Sequence, residues 1–297
     1  MEARQGDLRD PVTARAACHG VDAVIHTAAK AGVWGPWEDY YAINTAATEH
    51  LLAGCREARV GVFVFSSSPS VTFDGADQRA IDETVPYPRH WLCAYPQTKA
   101  LAEQAVLAAH IPGTLHTASL RPHLIWGEDD PHLFPRLVAR ARQGRLRIVG
   151  DGNNRIDTVH VVNAATAHLN ALDRLASGDQ HAPPAAGGRA YFITQDDPVA
   201  CWEWIATILE IAGVKPPTKR IGFRAAWRLG ATLEQLYRLT GRRQEPPMTR
   251  FVAAQLAKDH YFDITAAKSL LGYRPAISNA EGLARLRQSW QRKATPG

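Results

Sequence analysis

Three apolar runs of strand length punctuate the first half of the chain: VDAVIHTAA (21–29), VGVFVFSSS (60–68) and TLHTASLRPHLIWG (114–127). They are nearly continuous in Val, Ile, Leu, Phe and Ala rather than alternating, which marks strands buried on both faces. Helical patterns lie between them: DYYAINTAATEHLLAGCREA (39–58), with Ile43, Ala46, Ala47, Leu51 and Leu52 on one side, and YPQTKALAEQAVLAAH (95–110). Strand, helix, strand, helix, strand predicts an α/β fold, a doubly wound parallel sheet with right-handed crossovers. Ligands of such sheets bind beyond the carboxyl ends of the strands, so His26 to Lys30, Ser66 to Ser68 and Pro122 to His123 should line one crevice.

After residue 127 the pattern loosens. HLFPRLVARARQG (132–144) reads as a helix, and residues 145–172 as a strand, a Gly/Asn turn, a second strand and a helix. GRAYFITQ (188–195) reads as a further strand, after QHAPPAAGG (180–188), whose Pro and Gly residues make it a connection. The expected organisation is a core over 1–195, with a substrate-side insertion near 128–155, and a smaller, mostly helical substrate-binding region over 196–297. There is no internal repeat. In FRAAWRLGATLEQLYRLTGRR (223–243), Phe223, Trp227, Leu233, Leu236, Tyr237 and Leu239 recur near helical spacing among arginines. That is the composition of an interfacial helix. Packing of the apolar face on the chain's own domain is the favoured reading, and peripheral membrane contact the alternative.

At 297 residues and 32.6 kDa the chain suffices for one large α/β domain, or for a core domain with a smaller one attached. The net charge of +5, spread over scattered arginines, tolerates anionic ligands without calling for nucleic acid. Cys18, Cys55, Cys93 and Cys201 are far apart in sequence and form no C-x-x-C pair, so neither a zinc cluster nor a disulfide framework is indicated, and a reducing cytoplasm fits. MEARQGDLRD, at the start, is too polar for a secretory signal, and no apolar run approaches the roughly 20 residues of a membrane span. No G-x-S-x-G, H-E-x-x-H or P-loop is present and the twelve histidines show no ligand spacing, which removes hydrolase and metal readings.

The remaining chemistry centres on YPQTK (95–99). Eight tyrosines and seven lysines would give Y-x-x-x-K by chance in about one chain in five, so the motif acquires meaning only from its surroundings. Pro96 favours a first helical turn, which places Tyr95 at the helix mouth and Lys99 one turn on, on the same side. A nearby ammonium lowers a phenol's pKa, and a phenol so tuned can protonate a developing alkoxide. Ser68, at a strand end, can donate a second hydrogen bond to the same oxygen. Asn44, on the preceding helix, can hold a water or backbone group that keeps Lys99 in place.

Ser68, Tyr95 and Lys99, with Asn44 upstream, resemble the catalytic tetrad of short-chain dehydrogenases/reductases. The flanking text, GDLRD (6–10), residues 26–52, FVFSSSPSVTFDG (63–75), RPHLIWG (121–127), residues 150–168 and FDITAAKSLLGYRP (262–275), narrows the likeness to the extended, 3β-hydroxysteroid dehydrogenase-like branch. Within it the chain is most similar to the bacterial reductases that act on 2-alkyl-3-oxoalkanoic acids. The resemblance implies a Rossmann-type fold, NAD or NADP as cofactor, and a small apolar keto or hydroxy substrate, and it allows a homodimer. It makes Tyr95 the general acid/base, Lys99 the holder of the nicotinamide ribose and Ser68 the residue that positions the substrate oxygen. Asp7 and Leu8 would flank the adenine; His26, Ala28, Ala29 and Ser66 would line the cofactor, and Pro122 and His123 its nicotinamide end. Ser66, Ser67 and Ser70 are otherwise backbone-satisfying neighbours, any of which is the alternative to Ser68. For His26 and His123 a structural role is the alternative, and Trp34, Trp37 and Trp91 are either an apolar substrate wall or packing.

Such a fold opens with a strand, a glycine-rich turn and a helix that holds the pyrophosphate. The sequence holds no G-x-x-G-x-x-G, so the resemblance implies a truncated sheet whose first βαβ unit lies outside these 297 residues, as in a fragment or a chain with a mislocated start. The rival readings are a steroid- or flavonol-type reductase, a nucleotide-sugar epimerase, and an inactive or dinucleotide-sensing module. Epimerases of this branch carry Asn where this chain has Leu124, and a sensor would be expected to lose Tyr95 or Lys99.

Overall fold

A computed structural model describes residues 2–177 and 186–294, so part of the expected connection at 180–188 lies outside the described residues. Ala23–His26 (β1), Val62–Ser66 (β2), His116–Pro122 (β3) and Arg189–Ile193 (β4) form a parallel sheet in that spatial order. Each strand is shorter than the run that announced it. Strand β2 shows why the sheet is wound on both faces. Phe63 and Phe65 enter a cluster with α1 (Pro11–Ala17), α3 (Ala47–Ala58) and α4 (Ala94–Ala108), whereas Val62 and Val64 face α6 (Val161–Ala176). Helix α6 presents Ala164, Ala167 and Ala171, small residues at helical spacing that let it lie close on the sheet.

The run 114–127 does not form one strand. Leu124 takes a left-handed φ of 45°, and Ile125–Trp126 leave the sheet to pair with Val159–His160. The helix over 39–58 also departs from regularity. It begins as α2 (Trp37–Tyr40), widens into a π-helical segment at Tyr41–Ala46 and continues as α3. Helix α3 meets α1 at Gly54, where a Cβ would come within 2.9 Å of the Arg15 Cα. Cys18 and Cys55, distant in sequence, meet there as free thiols with their sulfurs 3.7 Å apart.

A second apolar cluster joins α5 (Leu133–Arg142), α7 (Cys201–Ile211) and α9 (Asn279–Ala294) around Trp126, Trp202, Trp204 and Trp290. Short strands border it: Gln78–Ile81 beside His260–Phe262, and Ile148–Val149 beside Arg220–Ile221. The chain then returns to the sheet, where Phe262, Ile264, Leu271 and Tyr273 join the α6-side core. Helix α8 (Phe223–Leu239) packs a line of Ala226, Gly230 and Glu234 inward, flanked by Phe223 and Trp227. Three of its leucines face solvent: Leu229, Leu236 and Leu239 are 45%, 49% and 84% exposed, while Leu233 and Tyr237 are half-buried. Among the described residues no helix is long and apolar enough to cross a membrane.

Candidate active site

Helix α4 carries the YPQTK segment. Cys93 is extended, the helix starts at Ala94, and Pro96 occupies its first turn, where its missing N–H costs nothing. Lys99, 1% exposed, donates from Nζ to the Ser66 carbonyl at 2.5 Å and lies 4.0 Å from the centre of the Phe65 ring. It makes no ion pair among the described residues. Burial therefore dominates its titration and brings its pKa from 10.5 to about 7, with the Glu103 charge one turn on pulling the other way.

Tyr95 departs from expectation. Its pKa is raised, by burial first, while the Ser68 hydroxyl opposes the rise through a hydrogen bond. The Lys99 ammonium does not lower it, because that group points to the Ser66 carbonyl. Ser68 ends the extended stretch after β2, accepts from the Ser70 N–H at 3.3 Å and shares a 2.8 Å hydroxyl contact with Ser70 Oγ. Helix α4 packs on the Pro69–Thr72 turn that Ser68 opens, which brings Ser68 and Tyr95 to the same end of the sheet.

Asn44 sits in the π-helical segment, fully buried. Its Oδ1 accepts from the Lys30 N–H at 2.7 Å and its Nδ2 donates to the Lys30 carbonyl and to Thr98 Oγ1, both at 3.1 Å. It therefore holds the loop after β1 against α4 and reaches Lys99 only through Thr98. Thr98 in turn donates within its own turn to Ala94 O at 2.9 Å, and Thr45 Oγ1 donates to the Thr98 carbonyl at 2.9 Å. The wider π turn gives Asn44 a setting that a regular helix would not, a device frequent at functional sites.

The other named positions divide. Ala28 and Ala29 are exposed beyond β1, and Ala29 borders a cavity of about 640 Å³ shared with Gly32, Pro131 and Arg136. Pro122 ends β3 at the same side of the sheet, and Ser66 contributes its carbonyl to Lys99. His26 and His123 are buried and their rings are engaged inside the protein. His26 Nε2 meets Thr48 Oγ1 at 3.0 Å, and burial depresses its pKa to about 3. His123 Nε2 meets His260 Nδ1 at 2.6 Å, and His260 Nε2 donates to the Gln255 carbonyl at 2.8 Å. With that donor fixed, His260 Nδ1 must accept, so His123 is the donor of the pair. Asp7 is exposed and bound to Arg9, which takes its pKa to about 2; Leu8 is half-buried against the α1–α3 cluster.

Sequence reasoning missed Thr98 and a buried cluster on the same helix. Glu103, fully buried, takes hydrogen bonds from Arg121 (2.6 Å), Tyr87 (2.7 Å) and Ser119 (2.8 Å). The available signal was a lone acid and a lone base in two apolar runs, LAEQAV and ASLRPH. A cleft of about 490 Å³ opens beside Cys93 and Ala94, the residues directly before Tyr95, and is walled by Trp34, Trp37, Tyr40 and the end of α8.

Known proteins resemble the chain over nearly its whole length. The chain is 43% identical over 291 residues to a 2-alkyl-3-oxoalkanoate reductase of Shewanella oneidensis, covering 96% of this chain and 74% of that one. It is 44% identical to the reductase of the same name from Stenotrophomonas maltophilia, covering 96% and 85%. A sterol-4-alpha-carboxylate 3-dehydrogenase of Mus musculus is 33% identical, covering 96% and 78%. Among solved structures, gox2253 superposes with a TM-score of 0.74 at 27% identity, covering 97% of this chain and 84% of that one. MoeE5 in complex with UDP-glucose and NAD superposes at 0.71 and 24%, covering 98% and 86%, a likeness of fold. Residues 1–223 match the 3-beta hydroxysteroid dehydrogenase/isomerase family, and the chain belongs to that family.

Proposed function

We propose that the chain is an NAD- or NADP-dependent oxidoreductase that reduces the 3-keto group of an apolar substrate, of the 2-alkyl-3-oxoalkanoate kind, to the alcohol. One observation carries the reading: at the carboxyl end of β2 a buried lysine bonded to the Ser66 carbonyl stands one turn from Tyr95, on a helix that packs against the turn opened by Ser68. The names of the relatives support the substrate class, and the sterol enzyme supports a 3-oxygen on an apolar skeleton.

The residues present suit the nicotinamide-ribose half of the cofactor. Lys99 offers a buried cation with donor capacity left over, and the exposed Ala28 and Ala29 leave the end of β1 open to a flat group. When bound, the reduced nicotinamide supplies hydride. Tyr95, with its raised pKa, is protonated at neutral pH, the form a donor requires, and gives its proton to the carbonyl oxygen while Ser68 holds that oxygen with a second hydrogen bond. Lys99, whose ammonium is anchored on the Ser66 carbonyl, would hold the ribose with its remaining donors. Asn44 and Thr98 keep the first turn of α4 fixed under the reacting atoms. In this reading residues 1–195 carry the cofactor side, and the substrate wall is shared between the 196–297 region and Trp34, Trp37 and Tyr40 of the core. The four free thiols suit a reducing cytoplasm. A nucleotide sugar is disfavoured, because Leu124 holds its left-handed φ with an apolar side chain packed on the second cluster.

Tyr95→Phe is the test. Turnover of a 2-alkyl-3-oxoalkanoate should fall by about two orders of magnitude or more, the usual reach of acid–base catalysis, while binding of NADH or NADPH changes less than about twofold. Unchanged turnover refutes Tyr95 as the proton donor.

A further inference from the structure

The cleft beside Cys93 and Ala94 has two kinds of wall. Its body is aromatic and aliphatic: Trp34, Trp37, Tyr40, Leu92 and Tyr237. Its rim is cationic, with Arg238, Arg242 and Arg243 at the end of α8. The rim's charges are only partly met by nearby acids: Arg238 reaches Glu234, and Arg243 acts on Asp39, helping to lower its pKa. Glu234, the acid on this wall, is held by the Arg250 N–H at 2.7 Å and by the Arg250 guanidinium, leaving Arg238 at 3.9 Å. Glu245 is taken by Arg136 and Arg140, and Asp39 by Lys30 at 2.8 Å. Arg242 and Arg243 make no ion pair among the described residues. Arg242 lies over the Tyr237 ring at 5.4 Å, and its carbonyl accepts from Trp34 Nε1 at 3.0 Å, so the cationic rim is fastened to the apolar wall.

An apolar slot ending in guanidinium groups that make no ion pair among the described residues complements a chain that ends in a carboxylate. We propose that this cleft binds a long-chain carboxylic acid, with its alkyl chain against Trp34, Trp37 and Tyr237 and its carboxylate on Arg242 and Arg243. The inference deepens the ketoreductase reading and rests on it for orientation: in a 3-keto acid the carboxylate lies two carbons from the reacting carbonyl, so this orientation requires the arginine rim and Tyr95 to open on one cavity. Cys93 and Ala94, which line that cavity, run directly into Tyr95. The site thereby selects acids over the neutral ketones formed when such acids lose carbon dioxide.

The test is calorimetric titration of the 297-residue chain with decanoate and with decan-1-ol, which differ only in the head group. Arg242→Ala/Arg243→Ala changes two exposed residues just beyond a helix end, so the fold is kept. The double variant should bind decanoate at least tenfold more weakly and decan-1-ol within twofold of the unchanged protein. Trp34→Ala should weaken both ligands alike. Failure of the unchanged protein to bind decanoate, or an equal loss of both ligands in the arginine variant, overturns the proposal. Neither titration uses the cofactor, so a failed Tyr95→Phe experiment would sink the ketoreductase reading without touching this result, and the converse holds.

Discussion

Lys99 and Glu103 lie one turn apart on the same helix, both buried, and the protein treats their charges in opposite ways. Glu103 is surrounded by partners: Arg121, Ser119 and Tyr87 all donate to it, and Arg121 holds its pKa below the usual carboxylate value in spite of burial. Lys99 has one backbone carbonyl and the face of Phe65, and burial prevails. The first charge is neutralised inside the fold and holds strand β3 to helix α4. The second is left with little compensation, and a buried group so perturbed at a strand end is a candidate functional position.

The contrast can be broken first at Glu103. Arg121→Met should cost about 3–5 kcal/mol of stability, read from the denaturant midpoint, because it strands a buried carboxylate. Adding Glu103→Leu should recover most of that loss. At Lys99 the same kind of change should do the reverse. Lys99→Met should lower turnover about a hundredfold, roughly 2.7 kcal/mol in barrier, yet raise the melting temperature at pH 6. The sign follows from its depressed pKa. Below about 7 the ammonium is charged in both states, so the folded protein bears the whole cost of burying it. Between about 7 and 10.5 the folded state has released a proton that the unfolded state keeps, so the unchanged protein gains stability as pH rises. The advantage of Lys99→Met should therefore shrink across that window, which melting curves at pH 6, 8 and 10 will show. A smaller effect is expected at Thr98, which ties Asn44 to α4. Thr98→Val leaves Asn44 Nδ2 without that acceptor and should cost about 1–3 kcal/mol, with turnover reduced less than in Lys99→Met.

Much of this was legible in the sequence. The continuous apolar runs at 21–29, 60–68 and 114–127 announced strands covered on both sides, and the strand-end rule put Ser68 and Pro122 on one side of the sheet. The illegible parts share a cause: they depend on partners far along the chain. The fate of the His123 ring is set by His260, and that of His26 by Thr48. The π-helical segment around Asn44 leaves the apolar periodicity of 39–58 almost unchanged, so no local pattern betrays it. The expected effect of Lys99 on Tyr95 came from their spacing, a sound guide to which side of the helix a residue occupies. It was no guide to the Ser66 carbonyl, which claims the ammonium.

Gly230 sets how closely α8 can lie on the chain beneath it. A Cβ there would come within 2.6 Å of the Thr249 carbonyl carbon and 2.7 Å of the Arg250 nitrogen, so the approach is open only to a residue without a side chain. Even Gly230→Ala would have to lift the helix off that backbone, and because Leu239 lies about 13 Å further along the same rod, the disturbance would be carried to the wall of the cleft.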